Sequence, residues 1–255
     1  MDWSRAKSVL IFSFLLLNIV LGYQLWMDWR ERLNTAGDVT DLPQETLQIM
    51  QEKNIRLIGK IPSGTPELQD LEYRFTTTPS EAVRKELETP VDSRIIFTEK
   101  ELMEGLGDVI PALDQYQYDP EASTVEVSVL YRMVDELPMF NVKLMLFNSN
   151  QKIIAYQQVL VEQVQPGQAK AQTVLSASKA VVPLIENYLQ PGVVIKDIRL
   201  GYQGQVFNSE DQVAAPSWRV LLEDGLETSE VYYVNAISGE VVTEKDISGL
   251  TEEDQ

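Results

Sequence analysis

Carboxylates are the most abundant proton-handling groups in this sequence: Asp and Glu number 39 against 21 Lys and Arg, for a formal net charge of −18. Two of them at the right separation would make the acid and the base or nucleophile of a glycosidase. Asp119, Glu121 and Glu126 fall before or within a predicted strand, and no spacing among them selects a pair. Two further carboxylates have a local explanation. Thr78-Pro79-Ser80-Glu81, and Thr98 with Glu101, follow the order of a capping box, in which the threonine accepts from the backbone and the glutamate reaches back. Histidine and cysteine are both absent. That excludes a Ser-His-Asp centre, cysteine nucleophiles, disulfides, thiolate metal sites and most zinc sites. Gly201 to Gly204 (GYQG) lacks the following helix and lysine of a phosphate loop, and no calcium-loop spacing occurs. The reading therefore assigns no catalytic residue, no metal ligand and no cofactor. The acidic balance also argues against nucleic acid as a partner, because phosphate contacts need clustered Lys and Arg.

Polar residues inside an apolar run are the second chemical signal. From Val9 to Met27 the chain is uncharged, and about 19 residues at a rise of about 1.5 Å cover roughly 28 Å, the thickness of a hydrocarbon core. Arg5 and Lys7 precede the run, while Trp26 and Trp29 stand at its far end as interfacial anchors would. The exit, Tyr23-Gln24-Leu25-Trp26, is bulky where a cleaved signal peptide needs small residues. An uncleaved, single-pass signal anchor in the cell membrane is expected, with its surface in lipid. The short N-terminal tail is expected to lie inside and the main domain outside the cytoplasm. Asn18 lies mid-span, with Ser13 and Gly22 nearby. A carboxamide in hydrocarbon favours a hydrogen-bonding neighbour, and small residues let helix backbones approach. Ser13, Asn18 and Gly22 are the candidate partner-binding residues.

Those residues require elements to carry them. The expected fold class is α+β: one N-terminal transmembrane helix, then two extracytoplasmic units of antiparallel sheet with packed helices. The expected divisions are a tail over 1–8, the span over 9–27, a stalk over 28–42, a first unit over 43–165, a second over 166–245 and an acidic tail over 246–255. Pro43 to Asn54 has helical spacing. Ile55 to Ile61 and Leu71 to Phe75 alternate around Pro62-Ser63-Gly64-Thr65-Pro66 and predict an antiparallel pair. The box at Thr78 predicts a helix ending at Thr89-Pro90, and the box at Thr98 one ending near Gly107. Val125 to Arg132, Phe140 to Leu146 and Ile153 to Val161 predict a three-stranded meander. Ala169 to Leu189 predicts a helix kinked by Pro183. Strands are expected over Val193 to Leu200, Trp218 to Glu223, Val231 to Asn235 and Glu240 to Thr243. Trp218, Tyr232 and Tyr233 are expected in the core.

The opening Met1-Asp2-Trp3, Lys7, the aliphatic run and the central Leu17-Asn18 resemble the YycI (WalI) family. These are membrane-anchored regulators associated with the cell-wall two-component system of low-GC Gram-positive bacteria, and the layout of the whole chain is similar to theirs. The resemblance implies a non-enzymatic regulator of a sensor histidine kinase (YycG/WalK type), acting with a sister membrane regulator of the YycH type. Trp218-Arg219-Val220, Tyr232-Tyr233-Val234-Asn235 and Ser238-Gly239-Glu240-Val241 resemble the end of a PepSY-type module. Asn235 stands where that pattern often has Asp. The alternative this second resemblance implies is an extracytoplasmic peptidase inhibitor or envelope chaperone.

Overall fold

Alternating apolar residues on consecutive strands build a central antiparallel meander, which the computed structural model shows with one register shift in each of its two strand pairs. The structure describes residues 42–204, 209–223 and 229–243, together with Phe14 and Asn18. In chain order the elements begin with α1 (Gln44–Glu52), β1 (Arg56–Leu57), β2 (Glu67–Leu68), β3 (Leu71–Thr77), β4 (Lys85–Asp92) and α2 (Glu99–Leu106). They continue with β5 (Tyr116–Asp119), β6 (Val127–Val134), β7 (Leu137–Ser149), β8 (Lys152–Gln158), β9 (Leu160–Pro166) and β10 (Gln172–Thr173). Last come α3 (Ala177–Asn187), β11 (Val194–Gln203), β12 (Asp211–Glu223), β13 (Ser229–Asn235) and β14 (Val241–Thr243). The fold is mixed α+β, with a largely antiparallel sheet of 12 strands whose main path runs β14-β13-β12-β11-β7-β6-β5.

Two long strands give the sheet its branches. β7 pairs with β6 along most of its length and with β8 from Leu144 to Ser149. β12 pairs with β11 and β13 through its second half and with β3 through Asp211 to Ala214. Two large apolar cores result, with a small third cluster of Tyr131, Phe140 and Tyr233 among the described residues. Leu130, Val142, Leu144, Leu146 and Ile153 centre the first, which α2 covers with Leu102 and Leu106. Trp218, Val220 and Leu222 of β12 centre the second, against Val181, Leu184 and Ile185 of α3. Packing crosses the expected boundary at 165/166 in both directions: α1 places Met50 in the second core, while Tyr202 and Ala214 join the first. Lys53 fixes α1 on α3, donating from Nζ to the carbonyls of Ile185, Glu186 and Leu189 at 3.1, 3.0 and 3.3 Å. This cation satisfies carbonyls that the helix end leaves unpaired.

Three sequence expectations are corrected. Ile55 to Ile61 does not pair with Leu71 to Phe75. β1 joins β11 in parallel, Arg56 opposite Val194, and β3 lies between β9 and β12. The capping box at Thr78 forms, with the Thr78 N–H donating to the Glu81 carboxylate at 3.1 Å and the Glu81 N–H to Thr78 Oγ1 at 3.3 Å. It closes only a turn, because residues 85–92 pair with β8 as β4, irregularly between Glu86 and Val91. Ala82 and Leu87 are that segment's only buried apolar side chains, too few to hold a helical face. The helix expected from Ala169 starts at Ala177, where the Ser176 hydroxyl accepts from the Lys179 N–H at 3.4 Å, and β10 precedes it. Pro183 lies inside that helix as expected.

The strand junction depends on a missing side chain. A Cβ on Gly201 would lie 2.4 Å from the Pro138 carbonyl oxygen and 2.7 Å from the Phe140 ring, where β11 meets β7. Gly64, in an open turn, has nothing within 4 Å. Gly201→Ala is expected to destabilise the protein by about 1–3 kcal/mol, and Gly64→Ala to change stability by less than about 1 kcal/mol, read as urea midpoints on the two variants.

Candidate functional site

Of the three residues singled out in the apolar N-terminal run, the structure describes Asn18. It is helical, and its Nδ2 donates to the Phe14 carbonyl, four residues earlier, at 2.8 Å. That bond satisfies one amide hydrogen within the helix. Ser13 and Gly22, and the rest of the expected span, lie outside the described residues, as do the Asp224-Gly225 turn and the acidic C-terminal segment. Among the described residues no helix is long and apolar enough to cross a membrane.

The strongest concentration of charge lies elsewhere, at the junction between the two cores. Trp218, Val220 and Leu222 point into the second core, so alternation turns Arg219 to the other face of β12. There its guanidinium is almost fully buried, with 1% of the side chain exposed. Arg219 Nη1 donates to Asp119 Oδ2 at 2.8 Å, and Nη2 donates to Asp197 Oδ2 at 2.7 Å. The rings of Tyr131 and Phe140 lie 5.5 and 5.2 Å from its central carbon. A buried charge beside two aromatic rings gains both a dry environment and cation–π attraction. Phe140 in turn lies 5.6 Å from the ring of Tyr233, opposite Arg219 on β13.

Asp119 ends β5 and is equally buried, with 2% of its side chain exposed. Its Oδ1 accepts from the N–H groups of Glu121 and Ala122 at 3.0 and 3.1 Å, which closes the turn after the strand. Its Oδ2 accepts from Arg199 Nη1 at 3.1 Å as well as from Arg219. Burial raises the carboxyl's pKa, but the two guanidiniums and the backbone donors outweigh it and hold the value below the usual carboxylate range. A carboxylate offers about four lone-pair sites, and here four donors use them. Asp119 therefore has no free site from which to take a proton, and it acts as a fastener. Glu121 extends the cluster: its backbone carbonyl accepts from Lys196 Nζ at 3.2 Å. Arg199 and Arg219, directly opposite on β11 and β12, are held together by the carboxylate they share.

This centre is one that the sequence shows only in pieces. Asp119 stands out there as a carboxylate of unassigned chemistry, and Arg219 as one residue of a strand motif. The legible signal is the placement of Arg219 within Trp218-Arg219-Val220-Leu221-Leu222, since a cation in so apolar a strand needs a buried partner. Trp218, Tyr232 and Tyr233 are buried, as expected. Trp218 Nε1 donates to the Leu175 carbonyl at 2.9 Å and ties the segment before α3 to β12. Asn235 Oδ1 accepts from the N–H groups of Ile237 and Ser238, both at 2.9 Å, so this side chain shapes the turn between β13 and β14. Among the described residues no group of three or more acidic side chains is placed to hold a metal ion.

Together these features define a mixed α+β protein whose most buried charges join strands to one another. The chain belongs to the YycI protein family, whose model matches residues 38–237. That is a regulatory, non-catalytic family of membrane-associated proteins, and membership supports a regulatory role in the cell-wall two-component system. No curated protein sequence matches the chain. Among solved structures, an uncharacterized protein from Eubacterium rectale ATCC 33656 is similar at 13% identity and a TM-score of 0.37, over 60% of this chain and 60% of that one. So slight a likeness bears on neither fold nor function.

Removing one partner of a buried ion pair leaves the other charge unmatched. Asp119→Asn is expected to destabilise the protein by about 3–5 kcal/mol near neutral pH. The folded-state pKa of Asp119 is lowered, so its contribution is complete above the unfolded value of about 3.9 and is lost as pH falls below it. The stability gap between wild type and variant should therefore stay constant from about pH 5 to 8 and narrow below about pH 4. Urea unfolding across that range measures it.

Proposed function

We propose that this chain is a non-enzymatic, membrane-anchored regulator that modulates the sensor histidine kinase of the cell-wall two-component system. It does so through transmembrane and extracytoplasmic contacts, together with a sister membrane protein of the YycH type. The family match over residues 38–237 is the observation that carries this reading. In it, residues 9–27 form the anchor, and Ser13, Asn18 and Gly22 face the kinase's transmembrane helices. The bond from Asn18 to Phe14 leaves one amide hydrogen and the carbonyl oxygen of the carboxamide for a neighbouring helix.

Two structural features support transmission from the anchor. α1 begins at Gln44, directly after the expected stalk, and packs on α3. Thr46, completely buried, donates from its hydroxyl to the Glu186 carboxylate at 2.8 Å. A displacement of the stalk thus bears on the second core, which the Asp119–Arg219 contact joins to the first. A bound regulator shifts a two-state kinase only by its difference in affinity for the two states. A difference of about 1–3 kcal/mol changes the ratio roughly 5- to 150-fold.

Asn18→Leu in the full-length chain tests the span contact. The expected outcome is altered kinase output and weaker co-purification with the kinase, with the thermal unfolding of the outer region unchanged. Unchanged output together with unchanged association would show that the span makes no such contact.

A further inference from the structure

The outer edge of β5 ends the main path of the sheet: among the described residues β5 pairs with β6 alone. An open groove of about 830 Å³ runs beside that edge, walled on its far side by α2 and the residues before it. Residues 114–118 all line it. Asp114 and Gln115 belong to a 3-10 turn, Leu113–Gln115, and Tyr116 to Tyr118 to the strand. Alternate strand side chains point to opposite faces, so three consecutive strand residues line one groove only if the backbone edge itself forms part of the wall. Natural proteins blunt exposed edges with lysine, proline or a bulge. Tyr116-Gln117-Tyr118-Asp119 carries no lysine, proline or bulge, and its pairing with β6 is regular; its protection is its shortness, four residues ended by Pro120.

Two features of the groove indicate what fits it. Arg132 of β6 lines it, opposite Tyr116, and donates through Nη1 to Gln115 Oε1. Its Nε is buried and has no acceptor among the described residues. A buried N–H without an acceptor is costly, and a main-chain carbonyl of an added segment would supply one. The rim is acidic. Glu99, Asp114 and Glu136 line the groove with exposed side chains, and none of them has a cationic partner among the described residues. Arg132 pairs with Tyr116 and the β6–β7 turn follows four residues later, so Asp114 and Glu136 stand at the same end of β5. Glu136 holds that place at φ 67°, a left-handed conformation unusual for a side chain of its size.

We propose that this groove receives an extended, basic segment of a partner protein, added to β5 as a further strand. The main chain of the segment pairs with the β5 edge and gives affinity, as in other cases of strand addition. The half-buried side chain of Met133 meets its apolar residues, and the rim carboxylates select lysine or arginine. A second copy of this chain is a poor occupant, because the chain carries −18 overall and would bring acidic surface to an acidic rim. The inference goes beyond the kinase reading and does not depend on it, since it concerns how a partner is held and not which partner it is.

The test uses the full-length chain in detergent micelles and two synthetic octapeptides, one alternating Val with Lys and the other Val with Glu. Hydrogen–deuterium exchange is followed at the amides of residues 115–119. The Val-Lys peptide should slow exchange there and the Val-Glu peptide should not. Asp114→Lys combined with Glu136→Lys, both at exposed positions, should weaken the Val-Lys peptide on the order of tenfold. Equal protection by both peptides, protection only at other segments, or no loss of affinity in the double variant would overturn the proposal. So would slow exchange, in the free chain, at those amides of β5 that do not bond to β6, whether it rises with concentration (a second copy) or does not (a segment of the same chain).

Discussion

Burying a guanidinium is the constraint around which the rest of the molecule is arranged. An arginine cannot shed its charge in a protein, so Arg219 is tolerated in an apolar sheet only with counter-charges supplied. Its two Nη atoms donate to carboxylates, while its buried Nε has no acceptor among the described residues. One carboxylate comes from β5, another from β11, and the aromatic rings come from β6 and β7. Each of those strands therefore has a required position relative to β12. The turn after β5 must present two N–H groups to Asp119, and β11 must approach β7 closely at Gly201. Such a pair contributes less to net stability than its short distances suggest, because desolvation offsets the attraction. Its main consequence is geometric: a shifted register leaves a charge buried without a partner.

That geometry bears on how a regulator of this family could work. The two apolar cores share β11 and β12, and residues from both sides of the expected 165/166 boundary meet in each. α1, the first described helix after the expected stalk, belongs by packing to the second core. The Asp119 cluster lies on the opposite face of the same strands. Packed contacts thus run from α1 through α3 to β12, and from Arg219 of β12 to Asp119 of β5. Packed side chains and buried ion pairs of this kind are among the contacts that carry coupling between distant sites.

The sequence discloses what is local and misses what is distant. The meander β6-β7-β8, strands β11, β13 and β14, the second half of β12 and helix α2 were legible, because alternation and the Thr98 box are read over a few residues; the first half of β12, from Asp211, was not. β4 was not: its capping box is real, yet pairing with β8 decides the conformation that follows. The hairpin expected across Pro62 to Pro66 failed for a related reason. Turn residues show that the chain reverses, but not which strand it then meets, and here the partners lie about 90 to 140 residues away. The clamp lies further still from local reading, since Asp119 and Arg219 are 100 residues apart. Only the strangeness of a charge within Trp218-Arg219-Val220 pointed toward it. Of the candidate partner-binding residues, Asn18 has a described environment and Ser13 and Gly22 do not.

The central claim is that the chain acts beside a kinase in the membrane. In-membrane crosslinking of the tagged full-length chain, followed by mass spectrometry of the captured proteins, tests that most directly. The account predicts recovery of a sensor histidine kinase and of a second single-span membrane protein. Recovery of a peptidase or a wall-processing enzyme, with no kinase, would contradict it.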